Sequence, residues 1–151
     1  MIQTRKELFN KCLIKINGQI EKYRESMKGV KESMDANDVH TDYDEEGSKG
    51  ELLVSFEKYA QYLDNAQKIK ETLSKVDREH YAEQIKFGSM VETNKQNYFI
   101  AAALGEIKMD DGGMFYVIST EAPIYEQQLK GKKAGDTFKL NNEDVKILKV
   151  H

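Results

Sequence analysis

Seven carboxylates, Asp35, Asp38, Asp42, Asp44, Glu45, Glu46 and Glu51, fall within residues 35–51, where Lys49 is the only fixed positive charge. Such a concentration makes a strong local negative field. Its oxygens suit a cationic surface or a hard divalent ion, since Mg²⁺ and Ca²⁺ take oxygen ligands. Other chemistry is poorly represented. His40, His80 and His151 are dispersed and no pair has zinc-ligand spacing, while Cys12 stands alone without a thiol-protease histidine motif. The chain has neither a GxxxxGK phosphate loop nor a GxSxG elbow. Gly131-Lys132-Lys133-Ala134-Gly135-Asp136 has some likeness to a phosphate loop, but it lacks the spacing and the following helix. An enzyme with its own complete active site is therefore not expected.

The acids interrupt two long helical patterns. Before them, Leu13, Ile16, Ile20, Tyr23, Met27, Val30 and Met34 recur in steps of three and four; after them, Phe56, Tyr59, Leu63, Ala66, Ile69, Leu73 and Val76 do the same. Each row is the seam of a helix lying along a partner. Two such helices joined by a short break pack antiparallel and bury each other's seams, which gives an arm of about 45 Å from helices of roughly 30 residues. Its turn carries the carboxylates. Thr4 and Glu7 have capping-box spacing, which predicts a helix start near the N-terminus. Gly18 and Gly29 each weaken the first helix by up to about 1 kcal/mol relative to Ala. Cys12 sits beside the first seam and reads as a small buried apolar residue.

From Phe87 the period changes. Met90-Val91, Tyr98-Phe99-Ile100, Phe115 to Ile118, Thr137 to Leu140 and Val145 to Val150 are short β-branched and aromatic runs, separated by Asp111-Gly112-Gly113, Gly135-Asp136 and Asn141-Asn142. Glu121-Ala122-Pro123 opens a short helical stretch that Gly131 ends, with Pro123 in the first turn, where its missing N–H matters least. The expected fold class is α+β, with an antiparallel helical hairpin over residues 1–84 and a small antiparallel β domain with one short helix over residues 85–151.

Composition fits this division. The chain has 151 residues, 32% charged and 9% aromatic, with a net charge of −3. A net negative charge argues against broad, sequence-independent binding of nucleic acid, which needs a basic surface to release counterions. No apolar run approaches a membrane span, and residues 1–13 lack the apolar core of a signal peptide. A cytoplasmic monomer is expected.

The C-terminal part resembles the FK506-binding-protein-like domain of the bacterial Gre transcript-cleavage factors. Phe87-Gly88-Ser89-Met90-Val91 is similar to that domain's opening "GS-x-V" strand, and Asn97 to Ile100 to the next. Ile118-Ser119-Thr120-Glu121-Ala122-Pro123 resembles "IS-x-x-SP", with Ala122 in place of serine. Leu129-Lys130-Gly131-Lys132 followed by Gly135-Asp136 resembles "L-x-GK-x-x-GD". The preceding hairpin is the other half of the same architecture, so the resemblance spans essentially the whole chain. It implies an accessory factor, not an enzyme. The globular domain, through Ser89, Ser119 and Pro123, would dock at the secondary channel of RNA polymerase. The hairpin would reach the polymerase active centre, where tip acids help hold a Mg²⁺ ion shared with the polymerase and position the water that cleaves backtracked RNA. Nucleic acid would be met only through the polymerase complex. On this reading Asp42, Asp44, Glu45, Glu46 and Glu51 are the candidate catalytic acids, with Asp44 and Glu45 on the metal.

The tip departs from the family pattern "GD-x-x-EN-x-EY". One register keeps Glu51 but puts Ser48 at the aspartate; another keeps Asp44 but puts Gly47 at the glutamate. Three readings follow: a factor that stimulates cleavage, a channel-occupying regulator that does not, and an isomerase or chaperone suggested by the domain fold alone. A fourth, a solvated acidic turn that only keeps the hairpin soluble, stands beside the metal reading. Against an isomerase, the C-terminal part has no Trp and only scattered Tyr and Phe.

Overall fold

A computed structural model describes the backbone of residues 2–37 and 45–151, and the side chains of residues 3–36 and 50–151. Two helices, α1 (Ile2–Asn37) and α2 (Glu45–Ser74), precede six strands: β1 (Met90–Thr93), β2 (Asn97–Ile100), β3 (Gly105–Lys108), β4 (Met114–Ile118), β5 (Thr137–Leu140) and β6 (Glu143–Val150). A short π-type helix, Tyr125–Leu129, lies between β4 and β5. The fold is a helical hairpin followed by a six-stranded, mostly antiparallel sheet, as expected. Among the described residues no helix is long and apolar enough to cross a membrane.

By contacts the chain divides into two compact units, one of residues Met1–Lys15 with Ile69–His151 and one of Ile16–Lys68. The boundary drawn at residue 84 from the sequence follows the change of period. The contacts instead group the base of each helix with the sheet.

In the helical unit the apolar rows face inward. Ile16, Ile20 and Ala66 are buried, while Tyr23, Met27, Val30, Phe56, Tyr59 and Leu63 are half-buried, which is as much as two helices alone can cover. Tyr23 of α1 and Tyr62 of α2 bring their rings to 5.5 Å, and Tyr59 meets Tyr62 edge-on at 6.3 Å. Apolar burial at roughly 1.5–3 kcal/mol per large side chain outweighs the exposed Lys68–Asp64 pair, a class worth about 0–1 kcal/mol. Gly18 and Gly29 are exposed, with open space where a Cβ would stand, so no close packing explains them.

The other unit is built on the sheet, whose strand order is β3-β4-β2-β1-β6-β5. On one face Val91, Tyr98, Ile100, Val145 and Ile147 pack with Tyr125 and Leu129 of the short helix and with Ile85. Strand side chains alternate, so Met90, Phe99, Phe115 and Val117 point to the other face, and all are buried. Leu8, Phe9 and Cys12 of α1, Leu73 of α2 and Val76 just after it belong to the same unit and are buried as well, and Arg5 and Lys15 tie α1 to the sheet. Lys15 Nζ donates to the main-chain oxygens of Leu104 at 2.6 Å and Glu106 at 3.1 Å, covering edge strand β3. Lys11 Nζ donates to Asp110 Oδ1 at 2.8 Å, and the Asp110 N–H donates to Glu7 Oε1 at 2.8 Å, holding the β3–β4 turn.

Three local expectations change. Helix α1 begins at Ile2, so Thr4 lies inside it and Glu7 serves the β3–β4 turn instead of a capping box. Strand β3 was not foreseen, because Gly105-Glu106-Ile107-Lys108 buries only Ile107. The sheet is also not wholly antiparallel, since β2 pairs with β4 in parallel, from Asn97↔Phe115 to Ile100↔Ile118. Residues 101–104 carry the chain past one strand position, β3 lands outside, and β4 folds back between it and β2. Turn residues mark where strands end, not which neighbour they choose.

Candidate functional site

The sequence-derived tip acids fall mostly beyond description. Asp42 and Asp44 lie outside the described residues; Glu45 and Glu46 open α2, and their side chains lie outside them as well. Glu51 is described, and its residue is exposed on α2. Among the described residues no group of three or more His, Cys, Asp or Glu could hold a metal ion.

The three residues expected to dock a partner occupy different environments. Ser89 is fully buried; its Oγ accepts the Lys86 N–H at 3.1 Å and lies 3.3 Å from His80 Nε2. Its hydroxyl thus serves the fold. Ser119 follows β4, half-buried, and its Oγ accepts the Glu121 N–H at 3.3 Å, which turns the chain toward the short helix. Pro123 is exposed at the start of that helical segment. Ser119 and Ala122, with Ala103, Gly105 and Val117, line a shallow cleft of about 410 Å³. The surface around Ser119 is therefore open and mainly apolar, flanked by Glu121.

Other residues of the quoted motifs have structural reasons for being what they are. Gly88, Gly131 and Gly135 have φ of +93°, +76° and +94°, backbone positions that favour glycine. At Gly88 a Cβ would also come within 3.0 Å of His80 Nδ1. Asp136 Oδ2 accepts the Lys133 N–H at 2.9 Å, closing the turn before β5. Leu129 is fully buried in the core.

A basic cleft went unseen in the sequence. It has a volume of about 460 Å³ and is lined by Arg5, Arg78, Glu79, His80, Tyr81, Met90 and His151. Arg5, 5% exposed, donates through Nη1 to the Gly88 carbonyl at 2.7 Å and through Nη2 to the main-chain oxygen of His151 at 3.1 Å. Burial lowers its pKa, opposed by the charge of Asp77. Arg78 lies over the Phe9 ring, 4.6 Å from its centroid. Burial, with Arg5 and Lys86 adding to it, lowers the pKa of His80. Burial likewise lowers that of His151, against the nearby Glu92 and with Lys149 and Arg5 adding to the effect. A lone arginine in the first turns of a helix reads as a surface residue, so only the fold brings these groups together. Cys12 is fully buried and its thiol is pushed up to about 12 by desolvation, which leaves it inert.

No family model matches the sequence, and no curated protein matches it. Among solved structures the chain is similar to GreA factor homolog 1 of Thermus thermophilus, with 17% identity and a TM-score of 0.34 over 95% of this chain and 94% of that one. A second, the transcription factor Gfh1, has 19% identity and a TM-score of 0.35 over 97% of this chain and 94% of that chain. At these values the likeness carries no argument of its own. The hairpin-plus-sheet architecture rests on the chain's own elements.

Proposed function

We propose that this chain is a Gre-like accessory factor of RNA polymerase, entering its secondary channel with the hairpin and docking through the sheet unit. The observation that carries the reading is the joint presence of an acid-bearing helical hairpin and of family-like segments falling on successive elements. The "GS-x-V" segment runs into β1, "IS-x-x-SP" leads from β4 into the short helix, and "L-x-GK-x-x-GD" leads from that helix to β5. Ser119, which lines the apolar cleft, and the exposed Pro123 are the proposed contacts with the polymerase. Both neighbours described as GreA homolog or transcription factor point the same way without adding weight.

In this reading Asp44 and Glu45 share a Mg²⁺ ion with the polymerase, and Asp42, Glu46 and Glu51 add negative charge around it. Mg²⁺ is commonly held by one or two carboxylates plus phosphate and water, so a tip with few ligands suffices. When bound, a second metal helps stabilise the attacking and leaving oxygens of a phosphoryl displacement. The carboxylates of this chain supply charge, and the polymerase keeps the rest of the active centre.

The alternative, a factor that occupies the channel without stimulating cleavage, is favoured by one observation: neither register of the tip keeps both family acids, because Ser48 or Gly47 takes one of their places. RNA cleavage in a stalled, backtracked elongation complex, with and without this protein, separates the two. For the first reading, Asp44→Asn combined with Glu45→Gln abolishes stimulated cleavage and leaves polymerase binding nearly intact, because amides keep size but lose the charge that Mg²⁺ needs. Loss only on Glu51→Gln moves the site to Glu51. No stimulation by the unaltered protein, with binding retained, establishes the blocking regulator instead.

A further inference from the structure

We propose that the basic cleft lined by Arg5, Arg78, His80 and His151 is a binding site for a small phosphate monoester carrying an apolar or aromatic body. Three observations meet there. First, Arg5 is a nearly buried guanidinium whose hydrogen bonds go to main-chain oxygens of Gly88 and His151, and among the described residues no side-chain carboxylate lies within ion-pair distance of it. Asp77 acts on it only at longer range. A guanidinium has five N–H donors in a fixed fork, so Arg5 keeps donors beyond the two it uses. Second, His151 Nε2 is a buried side-chain nitrogen with no hydrogen-bond partner, since Glu92 Oε2 stands 4.0 Å away. A buried polar atom left unmatched is disfavoured, and an acceptor oxygen entering the cleft would satisfy it. Third, Arg78 makes a cation–π contact with Phe9, its Cζ 4.6 Å from the ring centroid, and makes no ion pair among the described residues. Its guanidinium is thereby presented at the cleft in a restrained orientation.

The chemistry of the lining selects the ligand. Two guanidiniums and two imidazoles surround the space; Glu79, an exposed residue, is the one side-chain carboxylate in the lining, and Glu92 stands outside it, 4.0 Å from His151 Nε2. A dianion with three acceptor oxygens matches several convergent donors better than a singly charged carboxylate does. A smaller cleft of about 230 Å³ shares Arg5, Arg78 and Glu79 and adds the positive charge of Lys6. The remaining wall is not basic. Met90 is buried, and Tyr81 is 72% exposed, an aromatic ring open at the cleft margin. A volume of about 460 Å³ accepts a molecule of mononucleotide size, within the roughly 300–1,000 Å³ usual for small-ligand sites. Phosphate would sit against Arg5, Arg78 and His151, with the body of the ligand against Tyr81 and Met90.

The test is a titration of the full chain, followed by NMR at the imidazole and guanidinium resonances, with inorganic phosphate, AMP, adenosine and acetate as separate ligands. Phosphate and AMP shift the resonances of Arg5, Arg78, His80 and His151, AMP binds more tightly than phosphate, and adenosine and acetate bind more weakly than either. Arg78→Gln, which removes the charge of an exposed residue together with its cation–π contact on Phe9, weakens both phosphate ligands by about tenfold or more, the size of a lost charged hydrogen bond. His151→Gln is a second variant, and thermal melting of each without ligand verifies that it is folded. No shift at these groups with phosphate or AMP overturns the site. Binding by folded Arg78→Gln and His151→Gln as tight as that of the unaltered chain also overturns it, and acetate binding as tightly as phosphate overturns the assignment to phosphate esters.

Discussion

Ser89, His80 and Gly88 show how closely single residues are bound to one another near the start of the sheet. The Ser89 hydroxyl oxygen accepts the Lys86 N–H and lies 3.3 Å from His80 Nε2. Burial, the largest cause, lowers the pKa of His80 and favours its neutral imidazole. His151 is lowered chiefly by burial as well. Both groups therefore bind fewer protons in the folded protein than in the unfolded chain at mildly acidic pH, and stability must fall where the unfolded state takes up more protons. Their contribution is present in full above the ordinary value of 6.5 and is lost as pH drops through the lowered folded values. Denaturant unfolding measured between about pH 7.5 and 5 should show declining stability, and His80→Gln should flatten that decline. A slope unchanged by His80→Gln would show that His80 has no part in it and leave His151 and the carboxylates as its source.

At the scale of elements, the helices were legible because their rows repeat many times. Fourteen seam positions carried the pattern, and a few errors could not disguise it. Glycines inside such a helix can reflect close approach of a neighbour, but at Gly18 and Gly29 no neighbouring side chain or element comes within 4 Å of where a Cβ would stand. Their replacement by Ala should then raise stability by about 0.5–1 kcal/mol each, through helix propensity and a less flexible unfolded chain. Urea unfolding of Gly18→Ala and Gly29→Ala checks this; a lower midpoint for either would reveal a role that the open space does not suggest. The sheet was less legible. Four residues with one buried apolar side chain gave β3 no signal, and the parallel β2–β4 pair depends on where residues 101–104 lead, which local composition does not encode. The site residues divide in the same way. Carboxylates crowded into one segment are visible in any reading of the chain, whereas the basic cleft draws on residues 5, 78–81, 90 and 151, whose proximity exists only after folding.

For the whole molecule, the contact units alter what a functional dissection should remove. A fragment beginning near Phe87 keeps every strand but loses Leu8, Phe9, Cys12, Leu73 and Val76, all buried, together with the Arg5 and Lys15 hydrogen bonds to main-chain oxygens. Each large buried apolar side chain is worth about 1.5–3 kcal/mol, comparable in sum with the roughly 5–15 kcal/mol stability of an ordinary domain. Such a fragment should be poorly folded. The better variant deletes residues 16–68 and joins Lys15 to Ile69 through a flexible Gly-Ser linker of about ten residues, long enough to span some tens of ångströms when extended. It keeps the whole of the sheet unit. This variant is expected to unfold cooperatively, to give a dispersed amide spectrum, and to bind RNA polymerase with much of the affinity of the full chain, while stimulating no RNA cleavage because the acidic segment is gone. Competition against the full-length protein for polymerase measures the retained affinity. If the deleted form folds but does not compete, docking belongs to residues 16–68, and the role proposed for Ser119 and Pro123 is wrong.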